Sequence, residues 1–213
     1  MNQILQQELE TNENTFIKKR KYQLQFIFSS IVAISFLIFF FFKSYKDSQQ
    51  EKLSKELLNN YQLTTLYSNT EQYEKNKINS TVTSESPFVI GMIKIDKIEL
   101  IYPILSETND ELLKISLCRF YGPLPNQVGN LCIAGHNYIT NYFFSRIDEL
   151  KIGDLIEIYD LQGQGKEYHV FKTYEVNAND LTCTSQNVNG AKIVTLLTCN
   201  NSNNNKRLVV QAK

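Results

Sequence analysis

A mainly β domain behind an N-terminal membrane helix is the fold class this sequence predicts, and three features carry that prediction. Leu24 to Phe42 is an uncharged run of 19 residues dominated by Phe, Ile, Leu and Val. Apolar runs rich in β-branched residues, among them Asn130–Ala134, Ile193–Thr198 and Arg207–Val210, read as strands. The residues between these two regions are polar. Residues 88 to 213, 126 in all, are enough for one domain with its own core.

Taken in order, residues 1–23 form a tail that ends in the basic cluster Lys18-Lys19-Arg20-Lys21. Residues 24–42 are apolar all round and long enough to cross a bilayer as a helix. No Ala-x-Ala-like site follows Phe42, so the span reads as an uncleaved signal anchor. The compact basic cluster favours a cytoplasmic N-terminus, although Lys43, Lys46, Lys52 and Lys55 match its count on the other side. Residues 43–87 read as a stalk and linker. Within them Lys52 to Leu63 is capable of a helical turn or two, and Asn79 to Ser86 is rich in Ser and Thr.

The chemistry-bearing residues stand at the ends of the predicted strands. Cys199 closes Ile193–Thr198, and Arg207 opens the next strand after a polar loop, Asn200 to Lys206. A hairpin would set the two side by side at one rim. His136 follows the run Asn130–Ala134, with Gly135 expected to let the chain turn tightly. A thiolate can attack a carbonyl, an imidazole can move the proton, and a guanidinium can stabilise the oxyanion. Cys199, His136 and Arg207 are thus the candidate catalytic trio.

These motifs resemble those of the sortases, membrane-anchored cysteine transpeptidases of Gram-positive bacteria. Thr195 to Cys199 meets the family's T-L-x-T-C pattern, Ala134 to His136 its A-G-H, and Arg207 its downstream Arg. Gly91–Ile95 with Ile98–Pro103 looks like the opening strands of a sortase barrel, and Leu150–Asp154 is similar to the family's L-x-x-G-D segment. The resemblance covers roughly residues 88–213 and implies an eight-stranded β-barrel with a few short helices. It also implies that Ala134, Leu197 and Thr198 line the substrate groove, and that the segment from Tyr174 to Ala191 governs specificity.

On this resemblance, Cys199 cleaves an LPxTG-like sorting signal between Thr and Gly through a thioester. The protein is then passed to an amine of a cell-wall precursor or of another surface protein such as a pilin, outside the cell. Alternatives of a different class are a membrane-tethered peptide-binding module and a cysteine hydrolase without transfer. No second hydrophobic span follows and no Asp-Pro-Phe/Trp lid signature precedes the barrel, which leans toward a housekeeping or a class B or D-like member.

Several other classes fit poorly. Papain-like enzymes place Cys before His, whereas here His136 precedes Cys199 by 63 residues. The Ser-x-Gly-Cys of L,D-transpeptidases and the Q-A-C-x-G of caspases are absent. With 22 basic and 22 acidic residues and no basic stripe, no nucleic-acid partner is expected. No Cys-x-x-Cys spacing or calcium loop appears, so no metal and no cofactor is expected. Cys118, Cys132 and Cys183 read as reduced, packed thiols, a disulfide between Cys118 and Cys132 remaining open, and His169 reads as an ordinary strand residue.

Overall fold

A computed structural model describes residues 2–68, 88–138, 142–200 and 205–213. The chain divides into two compact units, Met1–Gln49 and Gln50–Lys213. A long helix α1, Asn2–Ser68, runs through the first unit and into the second. In the first unit it carries exposed Phe26, Phe28, Phe36, Phe39, Phe41 and Phe42, and none of its apolar window is buried among the described residues. The helical segment Arg20–Leu63 contains a window long and apolar enough to cross a membrane.

The second unit is built around eight strands: β1 Val89–Ile95, β2 Leu100–Leu105, β3 Leu117–Tyr121, β4 Gly129–Ala134, β5 Leu155–Tyr159, β6 Gly165–Asn177, β7 Lys192–Cys199 and β8 Lys206–Ala212. They close into a barrel in the order β1-β2-β3-β4-β7-β8-β6-β5, which confirms the eight-stranded fold. The pairs β2/β3 and β4/β7 are parallel and the others antiparallel. Closure leaves no free sheet edge. Among the described residues the helices besides α1 are short: α2, Asp110–Leu113, and three single-turn 3-10 segments.

Strand alternation explains which side chains go inside. On β6, Tyr168 and Val170 are buried while Glu167 and His169 face solvent, so His169 is an outward strand residue. The interior is filled by Ile93, Ile95, Ile133, Ile156, Ile158, Leu196 and Val210, with Phe144 and Ile147 packing from the connection after β4. Burying each such side chain stabilises the fold by roughly 1.5–3 kcal/mol, the dominant favourable contribution here.

Helical structure beyond the span extends further than the turn or two expected between Lys52 and Leu63, and continues to Ser68. Its segment after Gln50 packs on the barrel. Tyr61 is 7% exposed and donates its hydroxyl to the Asp160 carbonyl, and Ser54 is buried. Gly163, at φ +74°, lets the β5–β6 turn approach Thr65, which a Cβ there would meet at 3.1 Å. The i, i+4 pair Glu51–Lys55 supports the same helix, but sequence periodicity alone could not show which surface would receive its apolar positions. The Ser/Thr-rich stretch Asn79–Ser86 lies outside the described residues.

Candidate active site

Cys199 is the last residue of β7 and Arg207 the second of β8, and the two are register partners. The expected hairpin is therefore formed, with the Asn200 N–H donating to the Lys206 carbonyl at 3.1 Å. Val176 of β6 flanks Arg207 on the other side. Arg207 is half-buried, and one guanidinium N–H reaches the Lys206 carbonyl at 3.1 Å. Beside it Glu175 accepts from Lys206 Nζ at 3.0 Å and from the Asn200 side-chain amide, which holds both ends of the loop against β6.

His136 arrives from the parallel neighbour. Ala134 ends β4 as the register partner of Leu197, and both are half-buried. The residues on either side of His136, Gly135 and Asn137, are tied to the end of β7. The Gly135 N–H donates to the Leu197 carbonyl at 3.1 Å, the Thr198 hydroxyl to the Gly135 carbonyl at 2.7 Å, and the Asn137 side-chain amide to the Cys199 carbonyl at 2.9 Å. The segments bearing His136 and Cys199 are thus fastened together across one rim, with Arg207 alongside. Thr198 is 3% exposed, and its hydroxyl is committed to this tie.

Gly135 does a different job from the turn expected of it. The glycines at positive φ are Gly122, Gly129, Gly153, Gly163 and Gly190, and Gly135 is not among them. A Cβ on Gly135 would stand 2.4 Å from Leu117 Cδ2 and 2.8 Å from Phe144 Cδ2. Its lack of a side chain lets two core residues close beneath His136.

Burial pulls the His136 imidazole below its ordinary value; nearby Asp110 opposes this and Lys114 adds to it. The neutral ring, the form able to accept a thiol proton, is favoured. Among the thiols, Cys118 and Cys132 are each pushed up to about 12 by burial, and Cys183 is raised for the same reason. All four cysteines are free, in keeping with reduced, packed thiols at these three positions. Cys199 alone of the four is not buried. Reactivity needs a thiolate with access to substrate, and burial withholds both from the other three.

The segment between β6 and β7 is pinned by polar groups that sequence reasoning passed over. The Asn130 side chain donates to the Cys183 and Ser185 carbonyls at 2.9 and 3.2 Å and accepts from the Thr195 hydroxyl at 2.7 Å. Gln186 completes the arrangement by bonding both backbone groups of Asn130 at 3.0 Å. Asn137 was also passed over as a site residue, although it directly follows His136 in the sequence. The signal for Asn130 was an Asn inside an otherwise apolar strand run.

A closed eight-stranded barrel with an accessible thiol, an imidazole-bearing segment and an arginine at one rim defines a cysteine acyl-transfer class. The Sortase domain family model matches residues 93–213. Solved structures agree. A sortase D5 transpeptidase from Clostridium perfringens is 26% identical, with 76% of this chain and 98% of that one covered and a TM-score of 0.62. Sortase A from Corynebacterium diphtheriae is 27% identical with a TM-score of 0.54, and 60% of each chain is covered. This chain thus spans under two thirds of that relative's length. A pilus-related sortase C of Group B Streptococcus, at 24% identity and a TM-score of 0.54 over 75% of this chain and 89% of that one, shares the fold. No curated protein sequence matches the chain. The chain belongs to the sortase family, whose members are cysteine transpeptidases.

Proposed function

We propose that this protein is anchored by residues 24–42, with 1–23 in the cytoplasm and the catalytic barrel, 88–213, outside the cell, where it cleaves LPxTG-like sorting signals and transfers the cleaved protein to an amine. Residues 43–87 are the stalk, of which the part from Gln50 to Ser68 belongs to the compact barrel unit. The observation carrying this reading is the fastening of the His136 segment to the end of β7, where Cys199 pairs with Arg207.

His136 as the neutral base takes the Cys199 proton, and the thiolate attacks the carbonyl carbon of the signal's Thr. Arg207 and a backbone amide near Cys199 face the oxyanion. Collapse breaks the C–N bond to Gly, and the His136 imidazolium gives its proton to the leaving amine, leaving a thioester on Cys199. An incoming amine, from a peptidoglycan precursor or a pilin, attacks the thioester while His136 removes its proton, and the thiol is regenerated. Ala134 and Leu197, neighbours in the register, line the signal groove, and Thr198 supports it from beneath.

Mass spectrometry of the full chain in detergent micelles, incubated with an LPxTG peptide library with and without an amine acceptor, tests this. Cleavage after Thr, an acyl adduct on Cys199 and an acceptor-dependent product are expected, all absent in Cys199→Ala. Cleavage with water as the only acceptor would establish a hydrolase. Peptide retention by Cys199→Ala with no turnover by the parent chain would establish a binding module.

A further inference from the structure

His136 lies outside any strand, two residues beyond the end of β4, so its ring direction is set by the connection that follows it. The described residues at its two ends are joined. Asn137 and Phe143 form an isolated β-bridge, and the Phe144 N–H donates to the His136 carbonyl at 3.0 Å. Four rings follow in series, each tilted against the next. His136 and Tyr138 have centroids 5.0 Å apart, Tyr138 and Phe143 5.8 Å, and Phe143 and Tyr102 of β2 5.1 Å. Phe143 holds φ +54°, a left-handed conformation that costs any residue with a Cβ and persists only where neighbours enforce it.

The residue before Phe143 supplies such a constraint from outside the barrel. The Tyr142 hydroxyl donates to Glu51 Oε2 at 3.0 Å, and Glu51 Oε1 accepts from Lys55 Nζ at 2.5 Å. Both contacts lie within the second unit, on the segment of α1 after Gln50. The Lys55 side chain is 73% exposed, so this ion pair adds little to stability and its effect is to fix the Glu51 carboxylate.

We infer that Glu51 and Tyr142 are positioning residues for the reaction, a clamp from helix α1 that holds the Phe143 turn and through it the ring of His136. The inference rests on the role proposed for His136. One hydrogen bond, from the Tyr142 hydroxyl to Glu51, carries the constraint, the Lys55 bond within the helix fixes its acceptor, and the tilted rings of Phe143 and Tyr138 pass it to the imidazole. A helix earlier in the chain than every strand would thus set the geometry of the site.

The test uses the full chain in detergent micelles and compares Tyr142→Phe, Glu51→Ala, Glu51→Gln and the double Tyr142→Phe/Glu51→Ala. Small misplacements of a proton-transfer group cost rate and leave binding intact, so kcat is expected to fall about tenfold in Tyr142→Phe and Glu51→Ala with KM within about twofold. Glu51→Gln, which keeps an acceptor for the phenol, should recover most of the loss. The double variant should be no worse than either single, because both remove one clamp.

The His136 ring resonances, assigned with a His169→Gln control, should shift and titrate differently in Tyr142→Phe. An unchanged kcat together with an unchanged His136 titration would overturn the clamp, as would a loss of rate that only follows a lowered melting temperature. Failure of the underlying reading looks different, since His136→Ala and Cys199→Ala would then turn over peptide as the parent does.

Discussion

Burial sets the working range of His136. Its pKa lies below the ordinary imidazole value of about 6.5, so the base form survives into mildly acidic solution. The acid limb of kcat/KM should therefore fall below that value, and a flat profile from about pH 5 to 9 would count against proton transfer by His136. Its neighbours give the sign of two variants. Asp110 favours the charged ring, so Asp110→Asn should move the acid limb further down; Lys114 disfavours it, so Lys114→Gln should move it up. Gly135→Ala tests the packing beneath the same residue. A Cβ at 2.4 Å from Leu117 and 2.8 Å from Phe144 is overpacking, expected to cost about 1–3 kcal/mol in chemical denaturation and to lower kcat as His136 is pushed outward.

At the scale of elements, the ends of β4 and β7 act as one unit because their pairing is parallel and continues past the strands through Gly135, Thr198 and Asn137. Thr198→Val keeps the shape of the side chain and removes its donor to the Gly135 carbonyl. Leaving a buried acceptor unmatched should cost about 1–3 kcal/mol and reduce turnover more than peptide binding, as denaturation and steady-state kinetics would show. Helix α1 offers a contrast. Tyr61→Phe removes the bond to the Asp160 carbonyl while keeping the buried ring, so a loss of only about 0.5–1.5 kcal/mol is expected, with kcat unchanged because Asp160 lies in the β5–β6 turn, away from the rim that carries Cys199.

At the scale of the whole molecule, the barrel interior dominates stability, and Leu196→Ala, fully buried on β7, should cost about 2–5 kcal/mol. Charge adds a smaller, pH-dependent part. The Asp154 carboxyl is held below its ordinary value, first by the hydrogen bond from Lys97 at 2.6 Å and then by the Lys151 N–H. A depressed carboxylate contributes stability that is fully present above the unfolded value of about 3.9 and lost as pH falls through the folded one. The melting temperature should therefore drop as pH falls below about 4, and less steeply in Asp154→Asn.

The sequence by itself determined the apolar helix, the strand that leads to His136, the strand that ends at Cys199, and the pairing of Cys199 with Arg207. Each is written in local periodicity, in a polar loop between two β-branched runs, or in motifs a few residues long. Tertiary structure alone decided what depends on groups far apart in the chain. Gly135 is needed for the approach of Leu117 and Phe144, not for a turn; Asn130 pins the β6–β7 segment; and the helix after Gln50 docks on the barrel through Tyr61 and reaches Tyr142 through Glu51. The physical reason is the same for all three. Periodicity records which face of an element seeks burial, while the partner that covers it, and the hydrogen bonds its buried polar groups must then find, exist only once the barrel has closed.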